Sequence, residues 1–318
     1  MGFRGQGAFE YLLLLGGTVL ISVLVILVMS TGTSGANNSF NESRGEYSTF
    51  ISKGIKNAIA AGGGGPSCPA NWIFVPGNVA YGVSTFCVMR YEARQDANGK
   101  PVSQSAGSPW VSISQSNAKA KCASLGEDYH LITDYEWMAI ATDASGVSGN
   151  WFNSDGQMML KVGNTGYVLA GVSYDGPDTG EGDDVLAQLV LSNGQVVSHL
   201  SGNMKEWTDA TITSSGNCDG GMPTTSGTCL NVPNEWVYVT DYKDLEYMRP
   251  PSLWAEEYDA GKGRVFLDND AAQPSGSVRG FIRGGYFAYG FYSGVFALEL
   301  DHAPEYTSTA VSFRCARS

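Results

Sequence analysis

The sequence predicts an α+β chain in which a long hydrophobic N-terminal helix precedes a larger, β-rich globular domain with disulfides. Three observations predict it. Residues 6–30, QGAFEYLLLLGGTVLISVLVILVMS, are apolar around one ionisable side chain, Glu10, and roughly 20 apolar residues rising about 1.5 Å each cross a bilayer core as a helix. All six cysteines, Cys68, Cys87, Cys122, Cys218, Cys229 and Cys315, follow that stretch, and an even count behind a membrane segment favours disulfides, with buried free thiols as the alternative. The rest of the chain alternates short β-prone runs with turn residues, and glycine reaches 41 in all.

The bulk properties exclude some roles. The formal net charge is −12 and only 16% of residues are charged, so no basic stripe exists to neutralise phosphates and nucleic-acid binding is disfavoured. About 250 residues follow the apolar stretch and its spacer, ample for a core. No cysteine pair has CxxC or CxxH spacing, which argues against a structural metal site.

The first five residues hold one positive charge, Arg4, too few residues for a secretory n-region, and no small-residue cleavage site follows the apolar run. FRG followed by QGAFEYLLL resembles the class III signal of archaeal type IV pilins. Gln6, Glu10 and Leu14 match its pattern, and Ala8 departs from the usual Ser. The resemblance implies cleavage between Gly5 and Gln6 by a prepilin peptidase, release of residues 1–5 as a leader, and contact of Glu10 with the new amine of Gln6 on a neighbouring subunit. Physical chemistry points the same way, because a lone carboxylate in a membrane span costs on the order of 2.5–3.5 kcal/mol and calls for a counter-charge. An ordinary single-span anchor is the alternative.

Residues 31–41 are rich in glycine, hydroxyl and amide side chains and form a flexible break. Asn37 and Asn41 open N-x-S sequons and are glycosylation candidates. From 42 to 61, Tyr47, Phe50, Ile51, Ile55, Ala58 and Ile59 recur at three- and four-residue spacings, the pattern of an amphipathic helix. GGGGP at 62–66 ends it and sets the boundary of a domain over 67–318.

Within that domain, 72–75, 79–83 and 86–93 read as strands, and 116–125 as a helix stopped by Gly126. Thr133 and Glu136 have the spacing of a capping box opening a helix, with Trp137, Ile140 and Ala141 on its apolar face. The competing reading of His130, Asp134 and Glu136 as a metal or acid/base cluster leaves Glu136 with two tasks. Residues 186–200 read as two strands around Asn193-Gly194, a hairpin signal in which both turn residues need positive φ. A loop between Cys218 and Cys229 would lose roughly 3 kcal/mol of unfolded-chain entropy if bridged. Residues 281–290 and 311–318 read as strands around glycine turns.

FCVMRYEA (86–93), HLITDYEWMAIA (130–141), LVLSNGQVVSHLSGNMKEWTD (189–209), RGGYF (283–287) and VSFRCAR (311–317) together resemble the formylglycine-generating-enzyme/sulfatase-modifying-factor family. That resemblance implies a decorated C-type-lectin-like fold. It also implies a Cys122–Cys315 disulfide, and leaves Cys68 to pair with Cys87 and Cys218 with Cys229. In the copper-dependent members two cysteines after the RGG turn hold the metal, whereas 286–294, YFAYGFYSG, has none. Iron-dependent members need a histidine triad, and the histidines here, His130, His199 and His302, are far apart in sequence. The domain is therefore expected to be non-catalytic and to need no cofactor. Tyr286, Phe287, Tyr289, Phe291 and Tyr292 lie where relatives bind substrates; they read either as a platform for a carbohydrate or cell-surface ligand or as packing in a core or subunit interface. Asp175, Asp178, Glu181, Asp183 and Asp184 sit among glycines, a composition that fits either a solvated acidic loop or a calcium loop.

The expectation is a subunit of an archaeal type IV pilus-like filament at the cell surface. Its partners would be identical subunits in a helical array, the prepilin peptidase and assembly platform, and the cytoplasmic membrane before assembly. A membrane-anchored enzyme of the formylglycine-generating type and a monomeric lectin-like receptor are the rivals.

Overall fold

The computed structural model of the protein describes residues 67–154, 157–164, 186–213, 222–223, 229–230, 235–238, 261–267 and 278–318. The chain divides into two units after Gly63, and every described residue belongs to the second, Gly64–Ser318. The apolar stretch with Gly5, Gln6, Glu10 and Leu14, the sequons at Asn37 and Asn41, the amphipathic segment, the acidic segment 175–184 and Cys218 lie outside the described residues. Among the described residues no helix is long and apolar enough to cross a membrane.

In chain order, the first half contains β1 (Trp72–Val75), β2 (Phe86–Met89), β3 (Ala93–Gln95), β4 (Pro101–Ser103), helix α1 (Gln115–Ala123), β5 (Tyr129–Leu131), helix α2 (Asp134–Ser145), β6 (Trp151–Ser154) and β7 (Gln157–Leu160). The second half contains β8 (Gln188–Val190), β9 (Val196–Ser198), β10 (Lys205–Thr213), β11 (Met222–Pro223), β12 (Cys229–Leu230), β13 (Glu235–Tyr238), β14 (Arg264–Leu267), β15 (Val278–Arg283), β16 (Leu298–Glu299), β17 (Val311–Phe313) and β18 (Cys315–Arg317). One sheet has the order β1-β2-β18-β5 and a second the order β13-β14-β16-β15-β10-β17. The consecutive strands β17 and β18 sit in different sheets, so the break at Arg314 is where the chain crosses from one to the other.

The capping box at α2 is formed: Thr133 Oγ1 accepts from the Glu136 amide at 3.1 Å, and Glu136 accepts from the Thr133 amide at 2.8 Å. Both faces of α2 are buried rather than one, because it packs into the main core. Ser114 caps α1 by accepting from the Asn117 amide. Residues 79–81 form a 3-10 turn instead of the expected strand. The Asn78 side chain captures the Ala80 amide and Gly82 adopts φ 65°, so local capping outcompetes extension. The hairpin at Asn193-Gly194 is present between β8 and β9, but only Gly194 has positive φ, at 81°. The loop is wider than a two-residue turn, with Leu191 donating to the Gln195 carbonyl, and the Asn193 side chain is spent on the Gln195 amide and the Phe74 carbonyl.

Two apolar clusters form the core. The larger gathers Phe86, Val88, Trp137, Ile140, Leu189, Val197, Phe296 and Leu298 between α2 and the sheets. The other, under α1, gathers Met89, Ala118, Trp207, Ile282 and Phe313 around Cys122 and Cys315. Each buried tryptophan satisfies its indole N–H: Trp137 donates to the Val295 carbonyl at 2.7 Å and Trp207 to that of Ile113 at 3.0 Å. Disulfides join Cys68 to Cys87 and Cys122 to Cys315, the second tying α1 to β18. The Cys229 backbone lies in β12, while its side chain and the pairing with Cys218 are outside the described residues.

Candidate functional site

The aromatic run begins where β15 ends. After Arg283 the chain turns through Gly284 at φ 86° and Gly285 at φ 74°, conformations open to glycine at little cost. A Cβ on Gly285 would also lie 2.6 Å from the Ser293 Cα, so the loop folds back on its own far end. Ser293 Oγ donates to the Tyr286 carbonyl at 3.1 Å, the Gly294 amide to the Gly284 carbonyl at 3.1 Å, and the Phe287 amide to the Asn203 carbonyl at 2.9 Å. A 3-10 turn over Gly290–Tyr292 completes the loop.

This frame brings Tyr286, Phe287 and Tyr289 together. The Tyr286 ring centroid is 5.0 Å from that of Phe287 and 4.2 Å from that of Tyr289, both edge-on. All three are half-buried, so they serve as packing and as surface at once. Tyr292 is turned elsewhere, under the Arg264 guanidinium at 4.8 Å. The Phe291 backbone is in the 3-10 turn and its side chain is outside the described residues. Phe296 at the end of the run is fully buried in the core.

Beneath the rings lies Lys205, the first residue of β10, with its ammonium 5.4 Å from the Tyr286 centroid and 5.1 Å from that of Tyr289. It donates to Tyr289 Oη at 3.1 Å and to Glu299 Oε2 at 2.7 Å. Lys205 and Glu299 are 5% and 4% exposed, a buried ion pair spanning β10 and β16. Burial, reinforced by repulsion from Asp301, pushes the Glu299 carboxyl up to about 7 against the pull of Lys205. Burial works against the charge on Lys205, but Glu299 and Tyr289 outweigh it and hold the pKa above the usual lysine range. Burial and the Glu299 charge raise Tyr289 as well, so its phenol stays protonated. The arrangement offers an aromatic surface stiffened from below by a fixed charge pair, with Tyr289 linking the two.

Two more buried charge networks hold the loop's neighbours. Arg283, immediately before the glycine turn, forks onto Asp134 at 2.7 and 2.8 Å. Asp134, read in sequence with His130 and Glu136, thus belongs to the turn's support rather than to a metal cluster, and His130 instead meets Glu136 at 3.0 Å. Arg314 grips Glu206 in the same bidentate way. Glu92, pushed by burial to about 7, accepts from Asn203 Nδ2 at 2.5 Å and the Met204 amide at 2.9 Å. Asn203, at φ 62°, therefore binds the aromatic loop through its carbonyl and Glu92 through its side chain.

The donor set of 286–294 is phenol, phenyl, hydroxyl and backbone. Soft thiolate donors are missing, so these residues do not fit the copper dithiolate that the resemblance implies. The three histidines fall on separate elements: His130 on β5, His199 just after β9 and His302 just after β16. Local sequence does not mark Lys205, Arg283 or Arg314 as functional, while Glu299 carries one signal, a charge inside the otherwise apolar run FALEL.

Residues 39–318 match the sulfatase-modifying factor enzyme 1-like domain. The chain belongs to that family. No curated protein matches it. Among solved structures it is similar to PvdO from Pseudomonas aeruginosa, at 14% identity over 74% of this chain and 81% of that one, with a TM-score of 0.39. It is also similar to Treponema denticola variable protein 1, at 16% identity over 74% and 84% and a TM-score of 0.37. The P3c variant of the major tropism determinant matches at 13% identity over 78% of this chain, with a TM-score of 0.35, and the matched part is 52% of its length. The sulfatase-modifying-factor-like domain here is a mixed α/β unit carrying two disulfides among its described residues.

Proposed function

We propose that the protein is a structural subunit of an archaeal type IV pilus-like extracellular filament, polymerising through residues 6–30 and displaying its family domain as a non-catalytic, adhesive head. The observation that carries this reading is the placement of Gln6, Glu10 and Leu14 at the head of a long apolar run. Before assembly the helix sits in lipid. Assembly exchanges lipid for neighbouring helices, and Glu10 finds its counter-charge in the Gln6 amine of another subunit.

The head's role rests on the 286–294 loop. Without a thiolate pair it lacks the means for copper-dependent oxidation, while half-buried tyrosines on a frame pinned by glycine and hydrogen bonds suit ligand contact, since aromatic rings give large contact area at small entropic cost. Tyr286, Phe287 and Tyr289 form the proposed contact surface for a carbohydrate or cell-surface ligand.

Electron microscopy of cells carrying Glu10→Ala tests the filament reading. Retained membrane protein with lost or disordered filaments is expected, and normal filaments would refute it. Mass spectrometry of the mature N-terminus should find Gln6 first. An assay for formylglycine on a sulfatase-motif cysteine peptide separates the head from the enzymatic members of its family, and turnover would overturn the non-catalytic reading.

A further inference from the structure

Beside the Lys205–Glu299 pair stands a group that neither the family match nor the adhesive surface uses. In FALELDH, Leu298 and Leu300 enter the core, and the two-residue period of extended chain puts Glu299 and Asp301 on the opposite face. His302 follows, its carbonyl held by the Gly280 amide at 2.9 Å and its ring stacked on Tyr306 at a centroid distance of 3.5 Å and 14° between planes. One ligand atom from each of Glu299, Asp301 and His302 lies within 4.8 Å of the others. His302 Nε2 is 3.3 Å from Asp301 Oδ2. Asp301 Oδ1 is closed off from solvent and accepts no hydrogen bond among the described residues. Lys205 pairs with Glu299, and Asp301 meets His302.

We propose that Glu299, Asp301 and His302 form a binding site for a divalent transition-metal ion, with zinc the best fit. Two carboxylate oxygens and one imidazole nitrogen are a mixed donor set that suits zinc better than calcium, which takes oxygen donors in larger number. In a tetrahedral site with bonds of about 2.0–2.1 Å the donors stand about 3.3 Å apart, the separation that His302 Nε2 and Asp301 Oδ2 already have. His302 and Asp301 are partly exposed, at 26% and 15%, which gives an ion a way in, while Glu299 lies beneath. Three protein ligands leave a fourth position for water or for an oxygen of an external molecule. The ammonium of Lys205 competes for Glu299 and keeps the affinity moderate. The site does not depend on the filament, and it touches the aromatic contact surface only through Glu299, the partner of Lys205.

Calorimetric titration of the full-length protein, stripped with EDTA and dialysed, tests it with zinc chloride, and calcium chloride serves as the hard-ion comparison. One zinc per chain with a dissociation constant in the micromolar range is expected, weakened at least tenfold in both His302→Ala and Asp301→Asn. These partly exposed positions leave the fold intact, checked by circular dichroism. Cobalt substitution should give the visible absorption of a low-symmetry four-coordinate site, absent from His302→Ala. No stoichiometric zinc binding, binding unchanged in both variants, or calcium bound more tightly than zinc would each overturn the proposal.

Discussion

Removing the buried ion pair one partner at a time, and then both together, measures what holds the aromatic loop's floor. At 2.7 Å and an effective dielectric of about 20, the attraction between Lys205 and Glu299 is about 6 kcal/mol. Desolvating two ions costs several kcal/mol each, so the pair as a whole comes out close to an apolar replacement. Taking away one partner strands the other charge. Lys205→Met and Glu299→Leu should each cost 3–5 kcal/mol, while the double variant should lose no more than about 1 kcal/mol, a coupling of several kcal/mol. The assay is urea unfolding of the full-length protein in EDTA at pH 8, followed by tryptophan fluorescence. The two singles should also differ with pH. With Lys205 beside it Glu299 has a pKa of about 7, and removing Lys205 raises it further, so the carboxylate stranded by Lys205→Met escapes by taking a proton and that variant's deficit shrinks between pH 8 and pH 5.5. The ammonium stranded by Glu299→Leu has no such release over this range. A double variant that loses the sum of the singles would refute the reasoning, since the two groups would then act independently.

The disulfides close loops of very different length, 193 residues for Cys122–Cys315 and 19 for Cys68–Cys87. On the loop-entropy relation the paired alanine variants should lose about 5 and about 3 kcal/mol respectively, read as shifts in the urea midpoint; equal losses would contradict an entropic origin. Glu92→Gln addresses another buried carboxyl. The Glu92 pKa is raised from 4.5 to about 7 by burial, so its contribution to stability is fully present below the unfolded value and is lost as pH rises through about 7. The wild type should therefore shed about 3 kcal/mol more than Glu92→Gln between pH 4.5 and pH 8, and parallel stability profiles would exclude the shift. Thr133→Ala opens the capping box and should cost about 1 kcal/mol. It should also lower the His130 pKa measured by NMR: burial alone pulls that value down, Glu136 now outweighs it, and Glu136 is held in place by Thr133. An unchanged His130 titration would separate the two.

What was legible in the sequence was local. The capping box at Thr133 and Glu136, the Asn193-Gly194 turn, the strand at Trp72–Val75 and the glycine turn after Arg283 depend on neighbours within a few residues, and periodicity or turn chemistry reports those. The family resemblance supplied the long-range frame. What remained hidden depends on partners distant in sequence. Lys205 meets Glu299 across 94 positions and Arg283 meets Asp134 across 149, so local sequence does not name the partner; the apolar run around Glu299 marks that charge as buried without saying what it meets. The strand expected at 79–83 failed for the opposite reason: Asn78 and Gly82 offered a local alternative that alternation of apolar residues does not register. The aromatic loop is visible in composition, but its division into a Tyr286–Phe287–Tyr289 group over Lys205 and a Tyr292 that turns to Arg264 depends on partners in β10 and β14.

The Cys68–Cys87 bond has a mechanical meaning. Any pull arriving along the chain before Ser67 meets the fold at Cys68, at the head of β1, an edge strand. Edge strands peel one hydrogen bond at a time, yet the bridge hands the load straight to β2, which is held on its far side by β18. β18 is in turn tied to α1 through Cys315 and Cys122. Tension thus bypasses the edge strand through a covalent link into the interior of the sheet, and the segment between Cys68 and Cys87 is shielded from stretching until that disulfide breaks.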